Sequence, residues 1–119
     1  MRFATQMNVA IVNAQLGDGT AAKAALANAK RGFDYENANA YTQLQSLYSE
    51  AFVGGHLGSP DAVDYARRCL DLALEVEAAA LAFDCRRILA EVALDDGALE
   101  EASGHLQEMG TFIAATAPP

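Results

Sequence analysis

Tryptophan is absent from this chain, proline occurs three times, and cysteine and histidine occur twice each. Each shortage removes a class of reading. Cys69 and Cys85 are too few for a disulfide framework and cannot by themselves hold a structural zinc ion, which takes four ligands. They leave the compartment open, with cytoplasm favoured. Positive charge is also short, because 8 Lys and Arg stand against 16 Asp and Glu, a formal charge of −8. A phosphate backbone would be repelled. Only Arg67-Arg68 and Arg86-Arg87 form even local basic pairs, so no nucleic-acid partner is expected. No run approaches the roughly 18 apolar residues of a membrane span, and no long apolar stretch follows Met1-Arg2-Phe3-Ala4 as a signal peptide requires. A soluble module without membrane contact is expected.

What the chain does hold is small apolar side chains. Hydrophobic residues make up 52% of its 119 positions, with alanine the dominant kind. That composition suits one domain of closely packed helices. Apolar residues return every three or four positions in six segments, which places them on one face of a helix each time. The first carries Phe3, Met7, Ala10 and Ala14 up to the turn signal Gly17-Asp18-Gly19. The second, over 20–31, presents Ala22, Leu26 and Ala29, with Thr20 as N-cap and Gly32 beyond its end. The third, over 35–53, carries Tyr41, Leu44, Leu47, Tyr48, Ala51 and Phe52 and stops at a connector, Gly54-Gly55-His56-Leu57-Gly58.

The fourth segment starts with Ser59 as cap, Pro60 at the first helical position and Asp61 against the dipole, and buries Val63, Ala66, Leu70, Ala73 and Leu74. The fifth, over 78–94, uses Leu81, Cys85, Ile88, Leu89 and Val92. The sixth, over 98–115, uses Leu99, Ala102, Leu106, Met109 and Ile113 before Pro118-Pro119 forbids continuation. Three triplets recur, Ala22-Leu26-Ala29, Ala66-Leu70-Ala73 and Ala102-Leu106-Met109, offset by 44 and then 36 residues. Such spacing predicts stacked helical hairpins, each needing a neighbour to bury its apolar face.

Val9-Ala10 with Gly17-Asp18, then Ala22, Leu26 and Ala29, and again Leu89-Ala90 with Gly97, then Ala102, Leu106 and Met109, resemble the tetratricopeptide repeat. The resemblance implies an all-α fold of three antiparallel hairpins (repeats about 3–32, 35–76 and 78–115) stacked as a right-handed superhelix in one domain, 1–119. The family period is about 34 residues, so the middle copy is longer by about ten, which its long first helix and the 54–58 connector absorb. Arg86 stands where the third copy of such a repeat usually has an aromatic, and the proline that often closes a repeat is missing. Neither end carries a polar capping element, as solenoids normally do. The chain then reads as a piece of a longer protein, or as one that dimerises through exposed end helices.

Chemistry is not expected. His56 in the connector and His105 on the polar side of the last helix have no convergent partners for catalysis or metal binding, and read as surface histidines. The glycine-rich connector lacks the Lys-Ser/Thr of a phosphate loop and follows no strand. The cysteines read as small apolar residues that could come near one another. No catalytic, metal or cofactor residue is assigned.

What remains is surface. In the family that the chain resembles, first helices of the repeats line a groove. Here their polar stripes are Asn39, Gln43, Ser46 and Glu50 on the third segment and Asp84, Arg87 and Glu91 on the fifth, with a less polar end at Met7, Asn8, Ile11 and Gln15. Gln43, Glu50, Arg87 and Glu91 are the candidate partner-binding residues, for a peptide or protein partner. The same stripes also suit a solvated face laced by local pairs such as Arg87 with Glu91. The resemblance implies a non-enzymatic protein-interaction or sensory module of a bacterial-type signalling protein, of the kind that precedes a nucleotide-cyclase (diguanylate-cyclase) or transcription-regulator output domain. A self-assembling scaffold and a small-molecule-binding helical domain are the alternatives.

Overall fold

A computed structural model describes residues 3–116. Those residues form six helices and no strand: α1 (Phe3–Gln15), α2 (Gly19–Lys30), α3 (Ala40–Leu57), α4 (Ala62–Glu75), α5 (Ala79–Asp95) and α6 (Leu99–Thr116). The fold is all-α.

Helix starts follow side chains that can reach a free amide. Asp18 caps α2, its Oδ1 accepting from the Ala21 amide at 3.0 Å. Thr20, expected as the cap, lies inside the helix, because Asp18 already satisfies the first-turn amide. Asn39 caps α3 by accepting from the Thr42 amide at 2.9 Å and from the Thr42 hydroxyl at 3.0 Å. The helix therefore begins at Ala40 rather than near Tyr35, and residues 31–39 form a turn-rich segment instead. Ser59, Pro60 and Asp61 also lie before their helix, in a turn that the Ala62 amide closes onto the Ser59 carbonyl at 3.3 Å.

Four helix ends share one turn. Gly17, Gly58, Glu77 and Gly97 take positive φ, at 81°, 69°, 58° and 75°. In each case the next amide returns five residues: Asp18 to Asn13, Ser59 to Gly54, Ala78 to Ala73 and Ala98 to Ala93, all at 2.8 Å. This left-handed closure satisfies carbonyls that a helix end would otherwise leave without a partner. Glu77 alone does so with a side chain.

The expected connector over 54–58 is a correction. Gly54, Gly55 and His56 are helical, and only Gly58 leaves the helix. A glycine costs about 1 kcal/mol inside a helix, but Gly54 sits where α4 comes close. A Cβ there would stand 3.2 Å from the Ala62 Cβ.

Packing follows chain order. α1 packs on α2, α3 on α4 and α5 on α6, while α3 also touches α1 and α5, and α4 lies beside α5. Met7, Leu44, Val53, Cys69 and Cys85 are fully buried in the shared core. Met7 is therefore not part of an open surface. Ala10, Gly54 and Ala90 are all buried, each twelve positions before Ala22, Ala66 and Ala102. The 44- and 36-residue offsets thus belong to both members of each pair. The added length does not lie in the 54–58 stretch. It falls between Ala29 and Val53, which are 24 positions apart against 16 from Ala73 to Leu89.

The last helix is the exception to burial. Among the described residues α6 packs along α5, meets α4 through the Arg67–Glu101 ion pair at 3.0 Å, and buries only Ala102. Leu99, Leu106 and Ile113, expected on its buried face, are exposed, and so is Leu74 of α4. Phe112 still reaches α5, where its ring lies 5.2 Å from that of Phe83. Pro118-Pro119 lie outside the described residues.

Candidate functional site

Two recesses lie between α3 and α5. On α3, Tyr41, Gln45, Tyr48, Phe52 and His56 recur at steps of four, three, four and four, which is one face of a helix. On α5, Ala80, Asp84, Arg87, Glu91 and Asp95 repeat the same steps. The two faces meet along two recesses. One is almost wholly apolar, about 460 Å³, between Tyr41, Leu44, Gln45 and Tyr48 of α3 and residues 78–81. The other, about 130 Å³, lies toward the C-terminal ends and takes Phe52, Gly55 and His56 from α3 and Arg87, Ile88, Glu91 and Asp95 from α5.

Polar groups between and beside these recesses are set by their neighbours. Burial pushes the Tyr48 phenol above its ordinary range, the Asp84 carboxylate adds to this, and Arg87 opposes it. Tyr48 is therefore a neutral hydrogen-bond donor at physiological pH. Arg87 lies beside the Tyr48 phenol and 3.9 Å from Glu91 along the same helix. A pair of this exposed kind contributes about 0.3–0.5 kcal/mol, too little to keep the guanidinium from another acceptor. His56 stacks on Phe52 at 4.4 Å, and its Nδ1 lies 3.0 Å from the Phe52 carbonyl. The tautomer that donates there leaves Nε2 as an acceptor.

The four residues expected to bind a partner divide between two sides of the molecule. Arg87 and Glu91 line the groove, with Asp84 on the same stripe. Gln43 and Glu50 do not. Gln43 donates its Nε2 to the Tyr35 carbonyl at 2.8 Å and so pins the 31–39 segment to α3. Glu50 is largely buried and pairs with Lys30 at 3.1 Å, an interaction that raises the lysine above its ordinary value. Asn39 caps the helix and Ser46 is buried. That stripe faces α2 and α4, across a separate recess of about 310 Å³ where Arg68 lies 5.6 Å from the Tyr35 ring and 5.8 Å from that of Tyr65. Sequence reasoning missed Tyr41, Tyr48, Phe52 and His56 as groove residues. The signal is present, since they too recur at helical steps: Phe52 does lie in the core, as its spacing implies, and Tyr48 packs against it, whereas Tyr41 is exposed and His56 is helical rather than in a connector.

Other reactive groups are occupied structurally. Cys69 and Cys85 are free thiols with no exposure. Cys69 and burial together push the Cys85 thiol upward, so it is the unreactive thiol that is favoured. His105 is not a surface histidine: only 17% of its side chain is exposed, beside a Glu101 that Arg67 of α4 also binds at 3.0 Å. Burial first, and Arg86 second, lower its pKa. Among the described residues no group of three His, Cys, Asp or Glu is placed to hold a metal ion, and no helix is long and apolar enough to cross a membrane. Comparison with protein-family models, with curated proteins and with solved structures finds no match for this chain.

Proposed function

We propose that the chain is a tetratricopeptide-like module, three hairpins stacked as a right-handed superhelix, that binds a peptide segment of another protein between α3 and α5. The repeat reading is supported by the twelve-residue interval kept in all three copies and by the contacts of α3 with both α1 and α5. The binding reading is carried by one observation. Two helical stripes of equal period flank two recesses in line between α3 and α5, an apolar one at one end and one that holds Arg87 toward the other. Arg and Tyr are the side chains most often found at the energetic centre of interfaces, and both stand here. A receiving role ahead of a signalling output domain belongs to the same proposal and rests on the resemblance alone.

Fluorescence anisotropy with a labelled peptide library tests it. For the tightest library members, Arg87→Ala should weaken binding by more than about 1 kcal/mol, roughly fivefold, as expected of an interface centre. Lys23→Ala on the exposed side of α2 and Gln43→Ala should leave it unchanged. Equal losses from all three would remove the groove from consideration.

A second reading is favoured by α6, whose Leu99, Leu106 and Ile113 are exposed. It is self-assembly through that face, seen as concentration-dependent light scattering that Leu106→Glu abolishes.

A further inference from the structure

We infer that the groove between α3 and α5 selects a basic, extended segment, with an apolar side chain and a Lys or Arg side chain about five residues apart. The inference deepens the binding reading above and rests on it. Its first support is charge. The α5 stripe brings Asp84, Glu91 and Asp95 to the groove against the single cation Arg87, and the whole chain carries −8. Among the described residues neither Asp84 nor Asp95 is paired with a cation, and Glu91 meets Arg87 only at 3.9 Å. A cationic side chain entering the smaller recess meets Glu91, Asp95 and the aromatic rings of Phe52 and His56. Carboxylates and ring faces both attract it. An acidic side chain would meet only repulsion there, apart from Arg87.

The second support is spacing. The apolar recess centres on the turns of α3 that hold Tyr41, Leu44 and Gln45, and the acidic one on those of Phe52 and His56, about eleven residues later. At 1.5 Å per residue the two centres are roughly 16 Å apart. An extended chain advances about 3.3 Å per residue, so about five residues bridge them. A single small ligand cannot fill both recesses.

The third support is the groove's polar inventory. Gln45 and Tyr48 in the lining of the apolar recess and Arg87 in that of the smaller one offer an amide, a neutral phenol and a guanidinium. Donors of this kind match backbone carbonyls that an extended chain presents sideways and a helix has already used.

The test uses N-acetylated, fluorescein-labelled peptides on a serine and alanine background. Each carries one leucine and one arginine, with the separation varied from about two to about eight residues. Companion sets replace arginine by glutamine or glutamate. The expected result is tightest binding near a separation of five, a preference for arginine over glutamate of at least about tenfold, and weakening as salt rises. Glu91→Gln combined with Asp95→Asn should abolish the arginine preference while keeping the leucine preference. Tyr41→Ala should do the reverse. If peptides bind and Arg87→Ala weakens them, but glutamate is taken as well as arginine, this inference fails and the groove survives. Binding that ignores Arg87→Ala and Tyr41→Ala, or no binding by any member, overturns both.

Discussion

Leu26, Leu70 and Leu106 occupy the same place in three repeating triplets, yet they are 9%, 8% and 49% exposed. That gradient makes one substitution informative three times over. Leu→Ala removes about three carbon groups, each worth about 0.8 kcal/mol when fully buried, so loss of transfer energy alone is about 2.4 kcal/mol. At Leu26 and Leu70 the core closes around the side chain, and the residual cavity brings the cost to roughly 2–5 kcal/mol. At Leu106 about half of that transfer energy is at stake and no closed cavity forms, so the cost should be near 1 kcal/mol. Urea unfolding followed by circular dichroism reads all three, with the m-value checked for constancy. A loss below about 1 kcal/mol at Leu70 would mean that α4 does not bury the face assigned to it. A cost at Leu106 equal to that at Leu70 would mean that the outer face of α6 is covered in solution.

Asp18→Ala should destabilise by about 1 kcal/mol through loss of the α2 cap, whereas Thr20→Ala should change stability by a few tenths at most; the opposite order in thermal unfolding would return the cap to Thr20. Glu77→Gly should raise the melting temperature by about 3–5 °C, because a left-handed side-chain residue costs about 1 kcal/mol that glycine does not; a lower melting temperature would contradict the turn. His105 has a folded pKa below its unfolded value of about 6.5, so the stability tied to its neutral form is complete above that pH and is lost as pH falls below it. Between about pH 7.5 and pH 5.5 the parent should therefore lose more stability than His105→Gln, and equal losses would show that burial, with Arg86 and Arg67, does not outweigh Glu101 at the ring.

The helices themselves were legible because apolar residues at steps of three and four report a buried face whatever covers it. Met7, Ala10, Leu44, Ala66, Leu70, Cys85 and Leu89 all lie on the side their spacing implied. Boundaries were less legible where tertiary contact outweighs a local preference. Gly54 looked like a breaker, but its small size admits Ala62, and nothing within α3 alone could signal that neighbour. The groove was half legible. Asp84, Arg87 and Glu91 form a polar stripe that faces open space, while Asn39, Gln43, Ser46 and Glu50 form one equally regular that faces the 31–39 segment, α2 and α4. A stripe records a period, not the identity of what lies opposite. Tyrosine hides its place further, because its ring suits a core and its hydroxyl suits a surface. The apolar positions on α6 show the converse: Leu99, Leu106 and Ile113 have the spacing of a buried face and no helix against them among the described residues.

The binding claim is tested most directly by backbone amide shifts in the isotopically labelled chain, titrated with the tightest-binding library peptide. The expected shifts are largest at Tyr41, Gln45, Tyr48, Phe52 and His56 of α3 and at Ala80, Asp84, Arg87, Glu91 and Asp95 of α5, with α2, Gln43 and the outer face of α6 least moved. Shifts concentrated on Leu99, Leu106 and Ile113, or on the recess around Lys30 and Arg68, would place the partner elsewhere and contradict the groove between α3 and α5.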